Sequence, residues 1–180
     1  MGAAGLTAAL ARRLSRGATA IPAPPLQAPV LLAIGSRDPI TVAQIDRLTA
    51  SGRVPVTMAP DGVCPVVVGG SGVVRLVAGD EGEFEPRVAG GRFAEGIAQL
   101  VRRGGVGTLL ACGGETADAI LGELGQGVLV IAGEVLPGMP VCGMVVEGRP
   151  VQLVTKSGGF GGEDALVAVL AAARAPEGSA

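Results

Sequence analysis

Short apolar runs that end in glycine most constrain the fold of this chain. Residues 30–34 (VLLAI) are continuously apolar, the pattern of a strand buried on both faces. The run stops at Gly35-Ser36-Arg37-Asp38-Pro39, after which Ile40, Val42, Ile45 and Leu48 carry a helical pattern to Ala50, opened by Pro39 or Thr41. A second run, 106–112 (VGTLLAC), stops at Gly113-Gly114-Glu115-Thr116, with a helix expected over 116–124. Strand, tight glycine turn and helix make the repeating unit of a parallel sheet covered by helices. The expectation is therefore a three-layer α/β sandwich with a largely parallel sheet.

The remaining chain fills in around these units. Residues 6–16 place Leu6, Leu10 and Leu14 on one helical stripe, with Arg12, Arg13 and Arg16 on a solvated face off it. Residues 17–29 hold four prolines and read as an extended linker. Short strands are expected at 54–58, 65–68 and 73–78, and the acidic, glycine-rich stretch 79–91 reads as a surface loop. A helix over 92–102 presents Phe93, Ile97, Leu100 and Val101 and stops at Gly104-Gly105. Residues 127–132 form a third strand, and 141–146 with 151–155 a hairpin around Glu147-Gly148-Arg149. A glycine-rich turn at 157–162 leads to a last helix, 164–173. This divides the chain into a helix and linker (1–29), one domain (30–174) and a tail (175–180).

Composition removes whole classes of chemistry. The 180 residues contain no His, which excludes Ser–His–Asp and Cys–His nucleophiles, His-bound zinc and His general bases. Lys plus Arg is 14 against 16 Asp plus Glu, and there are three Phe with no Trp or Tyr. Neither a basic footprint nor stacking platforms for nucleic acid are present. Cys64, Cys112 and Cys142 are odd in number and lack CxxC spacing, so no disulfide framework is expected. Cys64 and Cys112 read as small apolar core residues in a reducing, cytoplasmic setting. No apolar run of about 18 residues is found, and the N-terminus lacks a signal-peptide pattern. No membrane partner is expected.

The glycines cluster where strands end: Gly35-Ser36, Gly113-Gly114-Glu115-Thr116, and Ser157-Gly158-Gly159-Phe160-Gly161-Gly162. In an open α/β sheet, ligands bind beyond the carboxyl ends of the strands. Glycines there let backbone N–H groups approach phosphate oxygens, and the next helix contributes its positive end. Lys156 precedes the third cluster and offers charge to the same phosphates. Alternatively, each cluster makes only a tight turn or a helix cap. Neither G-x-x-x-x-G-K-[ST] nor G-x-G-x-x-G occurs, so ordinary P-loop and classical dinucleotide sites are disfavoured.

In order along the chain, four segments resemble motifs of the four-carbon acid sugar kinases. Gly35-Ser36-Arg37-Asp38-Pro39-Ile40-Thr41 is similar to G-S-x-S-P-V-T, and Gly113-Gly114-Glu115-Thr116-Ala117 to G-G-D-T-[AS]. Gly133-Glu134-Val135-Leu136-Pro137-Gly138-Met139-Pro140 is similar to G-E-I-x-P-G-V-P, and Lys156-Ser157-Gly158-Gly159-Phe160-Gly161 to K-S-G-x-F-G. Gly2-Ala3-Ala4-Gly5-Leu6 resembles the family's G-S-A-G-L, which opens the last helix before the linker.

The resemblance implies the C-terminal, nucleotide-binding half of an ATP-dependent kinase for tetronate or 3-oxo-tetronate sugar acids. It implies ATP and Mg²⁺ held by Ser36, Gly113, Gly114, Glu115, Thr116, Lys156, Ser157, Gly158 and Gly161. Thr116 would both cap its helix and touch phosphate. Glu115 stands where the family has Asp, and Asp38 where it has Ser. Asp38 either brings negative charge to the nucleotide or caps the helix begun at Pro39. Glu134 is expected to satisfy backbone donors in the Pro137-Gly138 turn, and Phe160 to plug an apolar gap. The family's acidic D-x-T-G motif is missing from the 180 residues. The resemblance thus implies a separate substrate-binding partner that carries it, no catalytic residue here and no activity alone. A homo-oligomer through Leu6, Leu10 and Leu14 is the other association expected. The rival functions are a non-catalytic nucleotide-sensing module and a remnant with only an interaction role.

Overall fold

A computed structural model describes residues 3–14, 24–64, 70–80 and 84–174. The expected strand at 65–68, the tail 175–180 and most of the expected linker lie outside the described residues. The centre of the fold is β2 (Val30–Ile34) beside β5 (Thr108–Cys112), and every residue of both strands is buried. Side chains alternate across a strand, so each strand feeds two cores. Leu31, Ala33, Leu109 and Ala111 join one core, while Val30, Leu32, Ile34, Leu110 and Cys112 join the other. Continuous apolar sequence is what a sheet covered on both faces demands.

The helices supply the two covers. α2 (Pro39–Ala50) starts cleanly because Asp38 accepts from the Ile40 N–H at 2.9 Å and Pro39 has no N–H to orphan. It buries Ile45 and Leu48 in the second core with Leu166 and Val169 of α5 (Ala165–Ala171). On the opposite face, α3 (Pro86–Arg103) and α4 (Gly114–Leu124) bury Phe93, Ala94, Ile97, Val101, Ala117 and Ile120 in the first core.

With β3 (Val56–Pro60), β4 (Gly72–Val77), β6 (Val130–Leu136), β7 (Met139–Val146) and β8 (Arg149–Lys156), the sheet has seven strands in the order β3-β4-β2-β5-β8-β7-β6. The pairs from β3 through β8 are parallel, and β8–β7 and β7–β6 are antiparallel. This is the largely parallel three-layer sandwich expected. The chain leaves β2 for one face of the sheet and leaves β5 for the other. The crevice between them is a topological switch point.

Several boundaries differ from expectation. α3 begins six residues early, because Glu85 accepts from the Arg87 N–H at 3.4 Å and Pro86 fits the first helical turn. Residues 86–91 are therefore helix and not loop. The run at 127–132 becomes β6, shifted to Val130–Leu136 at the sheet edge, where Val128, Val130 and Ile131 stay exposed. Within the expected linker, β1 (Leu26–Gln27) pairs in parallel with β9 (Ala173–Arg174), which ends the last helix early. Leu26 is buried, and its neighbour Gln27 is tied to Thr108 and Gln152. α1 (Ala3–Leu14) displays Leu6, Leu10 and Leu14 as an exposed stripe. No helix of the described residues is long and apolar enough to cross a membrane.

Candidate functional site

Three strand ends meet at one place. After β2, the N–H groups of Gly35 and Ser36 both bond the Cys112 carbonyl at 3.2 Å. After β5, the Gly113 N–H bonds the Lys156 carbonyl at 2.9 Å. Each loop is thus tethered to the end of the neighbouring strand. Approach is so close that a Cβ on Gly35 would lie 2.1 Å from Thr116 Oγ1, and one on Gly158 would lie 2.4 Å from Ser36 Oγ. Gly113 has φ +111°, which a side chain would strain.

Gly113 is also the N-cap of α4, without a side-chain cap bond. The expected capping role of Thr116 is thereby corrected: it sits in the first turn, pressed toward Gly35. The first helical bond runs from Ala117 N–H to the Gly113 carbonyl. The N–H groups of Gly114, Glu115 and Thr116 precede it and have no helical acceptor.

The third loop is held from beneath by buried polar side chains. Lys156 is 2% exposed, and its Nζ donates to the carbonyls of Ser157 at 3.1 Å and Gly158 at 3.0 Å. Thr41 Oγ1 donates to the same Gly158 carbonyl at 2.8 Å. Gln44, fully buried, donates through Nε2 to the carbonyls of Phe160, Gly161 and Gly162. The Cys112 thiol lies 3.8 Å from the Lys156 ammonium. Burial pushes this thiol up, with the ammonium and Thr41 pulling the other way.

Above these loops opens a cleft of about 880 Å³. Of the residues anticipated from sequence, Ser36, Gly113, Gly114, Glu115, Thr116, Ser157 and Gly158 line it, while Lys156 and Gly161 do not. Lys156 lies under the loop, with its charge spent on carbonyls. Gly161 packs toward Ala165 and Met139. Asp38 caps α2, the second of the roles expected of it, and it also lines the cleft. The Glu134 carboxylate accepts from the Gly138 N–H at 2.6 Å, the turn-stabilising role expected of it. Phe160 lies over Gly138, outside the cleft lining.

Sequence reasoning missed the other wall. Arg37, Phe84, Arg87 and Asp118 also face the cleft, and the Arg37 guanidinium lies 4.3 Å from the Phe84 ring centre. The signal for Phe84 and Arg87 was the Glu85-Pro86 helix start, hidden within a stretch whose glycines suggested a loop.

The arrangement offers phosphate-sized anions the N–H groups of the first turn of α4 and of the 157–159 loop, with Arg37 and Arg87 in the lining beside the carboxylates of Asp38, Glu115 and Asp118. The family model for the nucleotide-binding C-terminal domain matches residues 76–166. A D-threonate kinase of Cupriavidus necator is 41% identical over 92 residues, which are 49% of this chain and 22% of that protein. A 3-oxo-tetronate kinase of Methylobacterium radiotolerans is 38% identical over 73 residues, 40% of this chain and 16% of that one. A Bordetella bronchiseptica domain of unknown function, a domain-swapped dimer with bound citrate, superposes with TM-score 0.66 at 25% identity, covering 93% of this chain. A Haemophilus influenzae protein shares the fold, with TM-score 0.69 at 22% identity over 93% of this chain. The chain spans less than half of either structure, 45% and 46%. The loops, the switch-point cleft and these matches agree: the chain belongs to the nucleotide-binding C-terminal domain family of the four-carbon acid sugar kinases.

Proposed function

We propose that the switch-point cleft binds ATP with Mg²⁺ as the nucleotide half of a four-carbon acid sugar kinase acting on tetronate or 3-oxo-tetronate substrates. The observation that carries this reading is the convergence of three glycine loops and the α4 N-terminus on one cleft. Ser36, Gly114, Glu115, Thr116, Ser157 and Gly158 would hold the phosphates, with Gly113 shaping the turn, since its N–H is given to the Lys156 carbonyl, and Lys156 and Gly161 supporting their loop. Phosphoryl transfer is largely positioning and charge stabilisation, which preorganised N–H groups supply without reorganising. Among the described residues no group of three or more Asp, Glu or Cys side chains forms a metal site. Mg²⁺ usually keeps several waters and is held by substrate phosphates with one or two carboxylates, and Asp38, Glu115 and Asp118 are the carboxylates in the cleft lining that could serve.

The acceptor hydroxyl and its base would come from a separate substrate-binding domain carrying D-x-T-G. The exposed Leu6, Leu10 and Leu14 stripe on α1 suits docking to such a partner or to a second copy. The nucleotide-binding unit would comprise residues 30–174, and a cytoplasmic setting suits ATP use. The test is calorimetry of the chain with ADP–Mg²⁺ and ATP–Mg²⁺. Heat and a thermal shift with both are expected, and neither appearing at millimolar nucleotide would reject the reading.

A further inference from the structure

Lys156 is a buried lysine whose hydrogen-bond partners among the described residues are all neutral. Its Nζ reaches Thr41 Oγ1 at 3.4 Å, the two loop carbonyls at 3.1 and 3.0 Å, and the Cys112 thiol at 3.8 Å. Neither ion pair of the described residues includes it. A buried ammonium whose hydrogen bonds all go to neutral dipoles is costly to hold, and the dipoles that satisfy it are held firmly in place.

Those dipoles fix the direction of the loop's donors. The peptide bonds of this loop are trans, and a trans peptide points its N–H opposite its C=O. The Ser157 carbonyl turned in toward Lys156 therefore turns the Gly158 N–H outward. The Gly158 carbonyl, held by Lys156 and Thr41, does the same for the Gly159 N–H. Neither N–H is engaged within the described residues, and both glycines line the cleft. Bulk is excluded there as well, since a Cβ on Gly158 would meet Ser36 and Asp38.

We propose that Lys156 is a positioning residue for phosphate. With Thr41 it draws the Ser157 and Gly158 carbonyls inward, and so presents the Gly158 and Gly159 N–H groups to a phosphate in the cleft. The ammonium acts through one layer of peptide, and Arg37 and Arg87 are the cations that face the anion directly. This rests on the nucleotide-binding reading above and names the atoms that meet the phosphates.

The experiment compares wild type, Lys156→Met and Thr41→Val. Calorimetry measures ADP and adenosine affinity, and amide NMR follows Gly158 and Gly159 without nucleotide. In Lys156→Met, ADP binding is expected to weaken about tenfold or more and adenosine binding less than about twofold, the scale of a lost charge-assisted network. Both glycine amides shift before any ligand is added. Thr41→Val keeps the ammonium, moves the same two amides and weakens ADP about threefold, the scale of one neutral hydrogen bond.

Weakened ADP binding with unmoved amides in Lys156→Met would overturn the proposal in favour of direct contact. Equal losses for ADP and adenosine would overturn it too. Should Lys156→Met fail to fold, Thr41→Val decides: wild-type affinity with unmoved amides refutes the positioning role. Wild type that binds neither ADP nor adenosine refutes the nucleotide reading, whereas unmoved amides refute the positioning role alone.

Discussion

Gly35→Ala tests whether the switch point is packed as tightly as its geometry requires. The new methyl would stand 2.1 Å from Thr116 Oγ1 and 3.2 Å from both Thr116 Cβ and Cγ2. Rotating Thr116 relieves the contact only in part, because Cβ itself stays 3.2 Å from the new methyl whatever the χ1, and a β-branched side chain in a helix has few χ1 positions open to it. Either α4 or the loop after β2 must move. Overpacking of this kind costs about 1–3 kcal/mol, offset by about 0.4–1 kcal/mol from the stiffer unfolded chain. A net loss of about 1–2 kcal/mol is expected from that difference. Thr116→Ala removes Oγ1 and Cγ2 and leaves only the 3.2 Å approach to Cβ. The double variant should therefore be more stable than the two single losses predict, by about 1 kcal/mol or more. Urea unfolding of all four proteins measures the cycle, provided the slopes agree. Gly35→Ala at wild-type stability, or strict additivity in the cycle, would refute the reasoning.

Asp38→Ser should separate cap from charge. Serine caps as well as aspartate, so stability should change by less than about 0.5 kcal/mol, while loss of a carboxylate from the cleft should tighten ADP severalfold; Asp38→Ala should instead cost about 1 kcal/mol, read by the same urea assay. Burial pushes the Cys64 thiol up to about 11 from 9.0. The unfolded chain then loses this proton first, so the contribution of Cys64 to stability is full below pH 9 and falls as pH rises toward 11. Wild type should lose urea midpoint over that range faster than Cys64→Ala, and parallel curves would contradict the shift.

What the sequence revealed, and what it hid, divides along physical lines. β2, α2 and β5 were legible because strands buried on both faces must be continuously apolar, and because Asp38-Pro39 is a complete helix start. The start of α3 was hidden. Gly90 and Gly91 weaken the helix locally, and burial of Ala89, Phe93, Ala94 and Ile97 on either side of them outweighs that weakness. β6 was expected from its apolar run, but its place was not: Val130 and Ile131 have the composition of a buried strand yet lie exposed on an edge strand, and composition alone does not distinguish the two.

The site divides in the same way. The glycines were readable because backbone approach leaves no alternative to glycine at Gly35 and Gly158. Lys156 was found, but its direction was not, although strand parity contains it. On β8 it falls in step with Val154, which packs in the core beneath α2 and α5. The same parity that buries Val154 carries the Lys156 side chain under α2, to Thr41, and away from the cleft. A lysine ending a buried strand beside a glycine loop thus invites two readings, ligand or support. Counting residues back along the strand distinguishes them before any ligand is considered.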